Sequence, residues 1–296
     1  MSIKIGTRGS KLALAQTSTV CKKLTALGIG VEQIIINTPG DTKTGVPLHE
    51  IGGQGVFVRA LDDAILAGTI DCAVHSMKDI PAFRPNGLVT AAVLKRDSAA
   101  DYLAYHGTMD AVKVIGTSST RRRAQLLRHD SDISVVDIRG NVDTRIRKLS
   151  DGEFDAILLA EAGLARLDIS FPGERFPPEK FVPAPNQGTI AVVSRADPSL
   201  REKLSCLDHS QTRTDVFIER AVMEQLGGGC FTPLGIYCRE GYLIAEVLSL
   251  DGTRTERIET EVQSIEQAWD VGKRLHARAK GLIQDAYRKL GIKNDR

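Results

Sequence analysis

Apolar positions in the first half of the chain follow two alternating rhythms. Ile3–Gly6 is a short β-branched run, and Ser10 can cap a helix whose apolar face includes Ala13, Val20, Leu24 and Leu27. Gly28 closes that helix, and Val31–Asn37 returns to the strand pattern. After a glycine-rich stretch, Val56–Ala67 carries helical spacing and Cys72–His75 reads as a buried strand. This β-α-β-α-β order predicts a largely parallel sheet with helices on its faces. A second round opens with strand Val114–Gly116, a helix near Thr120–Leu127 and strand Ser134–Asp137. Helix Val142–Leu149 and strand Ala156–Leu159 complete it. Two α/β domains are expected, linked within Lys95–Tyr105.

The last third changes rhythm. Thr212–Leu226 predicts a helix, and Ile236–Cys238, Tyr242–Leu250 and Thr255–Val262 alternate like meandering strands, with Asp251-Gly252 as a hairpin turn. Ala268, Gly272, Leu275, Ala279, Leu282, Ala286 and Leu290 mark one face of a long final helix. A small α+β domain is expected there. Phe171–Pro185 holds five prolines and reads as a connector.

Composition narrows the functional classes. The 296 residues carry 39 basic against 37 acidic side chains, a balance that argues against a general nucleic-acid coat. The five cysteines form no C-x-x-C pair, so neither a disulfide framework nor a metal site is expected. Cys21 and Cys72 fall on predicted elements and read as structural. No apolar run is long enough for a membrane-spanning helix, and the opening MSIKIGTRGSKLAL lacks the pattern of a secretory signal. A cytoplasmic protein without nucleic-acid or membrane partners is expected.

Candidate chemistry gathers at strand-to-helix junctions. Gly6-Thr7-Arg8-Gly9-Ser10, Gly116–Arg123 and Arg139–Arg145 each combine glycine, a hydroxyl or amide side chain, and arginine. Such junctions lie at the carboxyl ends of parallel strands, where free amides, helix dipoles and bidentate guanidiniums favour anions. Helix capping explains Ser10 or Asn141 singly; three junctions together favour a multi-anion cleft. A P-loop is excluded because Val46 stands where lysine is needed, and no G-x-G-x-x-G opens a helix. Carboxylates on a small organic ligand remain. His75-Ser76-Met77-Lys78-Asp79 follows a strand and should emerge at the same edge. Asp79 reads equally as half of an exposed ion pair or as an acid that protonates a leaving amine and stabilises a cation. In Gly227–Pro233, flanking glycines open Cys230 to a ligand and favour a covalent role.

Taken in order, IGTRGSKLALAQ, GGQGVFV, AVHSMKD, IGTSSTRR, IRGNVDTRI, LAEAGLARL, PAPNQG and GGGC resemble the motifs of the hydroxymethylbilane synthase (porphobilinogen deaminase) family. The resemblance runs from about Ile3 to the end and is weakest after Tyr242. It implies two α/β domains like those of periplasmic binding proteins, plus the small α+β domain. The implied boundaries are 1–95 with 189–206, then 100–185, then 210–296. The implied activity joins four porphobilinogen molecules head to tail, with loss of ammonia, on a dipyrromethane cofactor. That cofactor would hang from Cys230 by a thioether, in a monomeric transferase.

The resemblance also implies residue roles. Asp79 is the catalytic position. Lys78, Ser76, Ser119, Arg121, Arg122 and Arg145 match cofactor-side positions. Arg8, Ser10, Gln16, Arg139, Arg166, Gln187 and Phe57 match substrate-side positions, with Arg145 also near the growing chain. Asp41–Gly55 would be a mobile lid ahead of Phe57. Gln54, Ala60 and Asn186 depart from the family pattern, Asn186 standing where glycine is usual. The competing readings are a non-catalytic anion-binding protein and a pyridoxal phosphate enzyme using Lys78. The first leaves the G-G-G-C loop unexplained, and the second lacks a phosphate cup.

Overall fold

The computed structural model describes residues 2–37, 56–227 and 232–292, without the side chains of Val56 and Phe57. The expectations for Asp41–Gly55, the Phe57 ring and Cys230 lie outside the described residues. In chain order the elements begin β1 (Ile3–Thr7), α1 (Lys11–Ala26), β2 (Val31–Ile35), α2 (Val56–Leu66), β3 (Cys72–Ser76) and β4 (Leu88–Val93). Next come β5 (Asp101–Tyr105), β6 (Val114–Gly116), α3 (Thr120–His129), β7 (Ser134–Val136), α4 (Val142–Ser150), β8 (Ala156–Ala160) and α5 (Glu161–Arg166). The chain continues with β9 (Gly173–Phe176), β10 (Ile190–Arg195), α6 (Pro198–Ser205) and α7 (Ser210–Gln225). It closes with β11 (Leu234–Arg239), β12 (Tyr242–Leu248), β13 (Thr255–Glu261) and α8 (Ile265–Lys289).

The chain divides into two compact units, residues 1–97 with 188–213, and 98–187 with 214–296. The first is built on a sheet of order β2-β1-β3-β10-β4. Ile3, Ile5, Cys72, Val74, Ile190 and Val192 turn one face of it onto Val20 and Leu24 of α1. The second unit contains a sheet of order β7-β6-β8-β5-β9, with the same pattern of strand senses, its antiparallel strand coming first rather than last along the chain. It also contains the antiparallel β11-β12-β13 sheet with α8 packed on β12 and β13. Two α/β sheets and a small α+β part are the expected fold class.

Each large sheet has four strands of one sense, and only β10 in the first and β5 in the second run antiparallel to both neighbours. The first division between the two units falls after Asp97, inside the expected Lys95–Tyr105, and the same stretch goes on to form β5, an interior strand of the second sheet. One expectation is corrected. The proline-rich connector contains β9, an edge strand whose mostly exposed residues lack alternation. β5 and β9 were both hidden because their pairing partners lie far along the chain, and periodicity reports exposure, not partners.

Candidate active site

In the first unit, β3 delivers the His75–Asp79 motif. Its last residue, Ser76, accepts a hydrogen bond from Gln16 Nε2 at 2.7 Å, which ties α1 to the strand end. The chain then turns through a single 3-10 turn, Met77–Asp79, fixed by Met77 N donating to the Thr189 carbonyl at 2.9 Å. Met77 is fully buried, Lys78 half-buried and Asp79 exposed. Ser10 caps α1 by accepting from Ala13 N at 3.3 Å, and Gln16 is buried.

His75 is buried behind this turn, and its Nε2 has no hydrogen-bond partner. Burial, with the cations Arg84 and Arg8 alongside, pushes its imidazole down to about 3. Arg84 in turn pairs with the buried Asp62, whose carboxyl burial pushes above its ordinary range. His75 is therefore neutral at physiological pH. Between the ordinary histidine value of 6.5 and about 3, only the unfolded chain takes up this proton. Stability should fall by about 1.4 kcal/mol per pH unit as pH drops through that window. His75→Gln should flatten the slope by one proton, as read from urea unfolding at a series of pH values. Identical slopes for parent and variant would remove His75 from the balance.

In the second unit, the β6–α3 junction is organised by hydroxyls. Ser119 caps α3, accepting from Arg122 N at 3.4 Å, and Ser118 Oγ donates to the Ile138 carbonyl at 2.7 Å. Arg121 and Arg122 leave the first turn and run back into the interior. Arg121 Nη1 donates to Asp101 Oδ2 and to the Val182 carbonyl, both at 2.8 Å. Arg122 donates to Asp101 Oδ1 from Nε at 3.0 Å and Nη2 at 2.7 Å, and from Nη1 to the Leu158 carbonyl at 2.9 Å. Asp101 is completely buried, and the two guanidiniums hold its carboxyl well below the usual carboxylate range. Gln187, also fully buried, adds a bond from Nε2 to Asp101 Oδ1 at 2.9 Å.

The β7–α4 junction adds a third guanidinium. Arg145 Nε donates to the Gly140 carbonyl at 2.8 Å, and burial together with the neighbouring Arg122 charge pushes Arg145 down to about 10. Among the described residues no carboxylate pairs with it. Asn141 begins α4 but makes no side-chain cap bond, so capping explains Ser10 and Ser119 but not Asn141. Arg139 is exposed, and Arg166 is half-buried in the last turn of α5. Two guanidiniums thus share one buried carboxylate, and a third, Arg145, lies in the field of Arg122. The surplus positive charge invites anionic ligand groups.

Two domain families match the chain. The first is described as "Porphobilinogen deaminase, dipyromethane cofactor binding domain" and matches residues 3–203. The second, "Porphobilinogen deaminase, C-terminal domain", matches residues 214–281. The chain belongs to the porphobilinogen deaminase family. Among similar proteins is a probable porphobilinogen deaminase of Methanosarcina acetivorans, 50% identical over 92% of this chain and 90% of that one. One from Methanosarcina barkeri is 47% identical over 97% and 96%, and the porphobilinogen deaminase of Syntrophus aciditrophicus is 39% identical over 93% and 94%.

Against the porphobilinogen deaminase pattern, the departure at Asn186 has a physical account. Its φ is 63°, in the left-handed region where glycine is ordinary and asparagine the best-tolerated alternative. The backbone requirement is kept although the residue changes. Sequence reasoning missed Asp101, whose only local signal is an acid opening the otherwise apolar-aromatic run DYLAY. It also missed the Asp62–Arg84 pair behind His75. Among the described residues no group of histidine, cysteine and acidic side chains could hold a metal ion.

Proposed function

We propose that this chain carries out the hydroxymethylbilane synthase reaction of tetrapyrrole biosynthesis with Asp79 as its catalytic carboxylate and Cys230 as the cofactor's attachment point. Family membership gives the activity, the substrate porphobilinogen and the dipyrromethane cofactor. The residue roles, a transferase working as a cytoplasmic monomer, and a three-domain division at 1–95 with 189–206, 100–185 and 210–296 are our assignment. No helix of the described residues is long and apolar enough to cross a membrane, which agrees with that setting.

The observation that carries the reading is the surplus of guanidinium around Asp101. Every pyrrole ring of substrate and cofactor brings an acetate and a propionate. Arg121 keeps a buried Nε–H without a partner, and Arg145 faces no carboxylate, so both suit such groups. The dipyrromethane group, when bound, supplies the ring end to which new substrate is joined. Ser119, Lys78 and Ser76 would help to hold its carboxylates.

Arg8, Ser10, Gln16, Arg139, Arg166, Gln187 and Phe57 are assigned to the incoming substrate and the growing chain, Gln187 acting through Asp101. At Asp79, the substrate's protonated aminomethyl group leaves as ammonia, and the carboxylate stabilises the cation left on the substrate's methylene carbon. Bond formation at that carbon then releases a ring proton, which Asp79 is placed to accept.

Intact-mass measurement tests the assignment. The parent protein should carry a covalent adduct of two pyrrole rings, and Cys230→Ser should lack it, because oxygen is far the poorer nucleophile. A full adduct on the serine variant would refute the attachment point. A parent protein without any adduct would return the anion-binding alternative.

A further inference from the structure

The two arginines that begin α3 are not equivalent. Arg122 has its whole Nε–Nη2 edge on Asp101 Oδ1 and its Nη1 on the Leu158 carbonyl. Arg121 uses only Nη1, which bridges Asp101 Oδ2 and the Val182 carbonyl. Its Nε is buried and unpartnered, and Nη2, on the same edge of the guanidinium, makes no hydrogen bond among the described residues. That free edge is the one with which arginine grips a carboxylate through two parallel bonds. Arg121 also lies over the Phe181 ring, 5.8 Å from its centroid, which holds the plane of the fork.

We propose that Asp101 is a positioning residue that makes this arginine pair an asymmetric carboxylate receptor. Its charge is matched by Arg122, which it fixes as scaffold. Its second oxygen takes Nη1 of Arg121 and so turns the Nε–Nη2 edge of Arg121 toward a ligand carboxylate. Gln187 sets the orientation of Asp101 itself: its Nε2 bonds Oδ1 at 2.9 Å and the Ala99 carbonyl at 2.8 Å, so the carboxylate cannot rotate freely. Without Asp101, two adjacent buried guanidiniums would repel each other and lose the register of their forks. The inference rests on the reading that Arg121 holds a carboxylate of the dipyrromethane group.

The test uses full-length protein produced without a porphobilinogen supply and then titrated with porphobilinogen. Intact mass gives the fraction carrying the covalent group, and thermal melting reports folding. Gln187→Met keeps the volume and neutrality of the side chain and removes the bond to Asp101. It should melt within a few degrees of the parent, yet need about tenfold more porphobilinogen for half-loading, the scale of one hydrogen bond to a charged group. Asp101→Asn, if folded, should load more poorly still. A purely structural role would lower the melting temperature without moving the half-loading concentration of folded protein. Half-loading of Gln187→Met at the parent's concentration would overturn the proposal whatever Asp101→Asn does. Failure of the parent itself to load would instead strike at the underlying functional reading.

Discussion

Asp79→Asn is expected to fold like the parent, keep its covalent group, and lose turnover by roughly a hundredfold or more. Asparagine preserves the shape of the side chain at the exposed end of the Met77–Asp79 turn and removes only its charge. The turn itself is held by backbone, through Met77 N on the Thr189 carbonyl and Ile80 N on the Met77 carbonyl, so the substitution leaves its geometry alone. What disappears is the one negative charge the HSMKD motif offers to a substrate losing ammonia. A hundredfold corresponds to about 2.7 kcal/mol of barrier, a normal cost for removing a charge that faces a developing cation. KM should move by only a fewfold, because substrate carboxylates are assigned to arginines. Asp79→Glu should recover part of the rate. Steady-state kinetics decide: near-parental turnover in Asp79→Asn would make the residue an ordinary turn carboxylate.

What the sequence made legible is local, and what it hid is not. The alternation of strands and helices from β1 to β3 and from β6 to β8 follows from periodicity, glycine stops and the caps Ser10 and Ser119. The junction arginines were visible for the same reason, since their neighbours in sequence explain their placement. Their partners were invisible. Asp101 meets Arg121 and Arg122 across twenty and twenty-one residues and Gln187 across eighty-six, and no pattern within one element encodes such a meeting. The antiparallel β10 and β5 were unreadable on the same ground. Each takes the fourth place of its sheet, where its partners, β3 and β4 for β10 and β8 and β9 for β5, lie far from it along the chain. The function followed from motif order rather than periodicity, and the family match confirms that level alone.

Glu246→Ala is expected to destabilise the protein by about 3 kcal/mol, the scale of a buried ion pair broken from one side. Glu246 lies on β12, fully buried, opposite Arg257 on β13. Its Oε2 accepts from Arg257 Nη1 and from Arg128 Nη1 on α3, both at 3.0 Å. The same two arginines reach the Glu179 and Lys180 carbonyls, so one carboxylate closes a ring between the C-terminal sheet, α3 and the 179–180 segment. The β12–β13 turn presses on the same helix. Gly252, at φ 73°, lies so close that a Cβ there would stand 2.2 Å from the Ala124 carbonyl oxygen. Such contact leaves no slack between the hairpin and α3. Removing Glu246 leaves Arg128 without a carboxylate and Arg257 with Glu259 alone; each guanidinium is about a quarter exposed, so water can reach them only in part. Because α3 begins with Arg121 and Arg122, loosening its far end should also slow covalent loading. Urea unfolding measures the first effect and intact mass the second. A stability loss under about 1 kcal/mol would show that the arginines rehydrate freely, and that the hairpin contact alone holds the sheet to the helix.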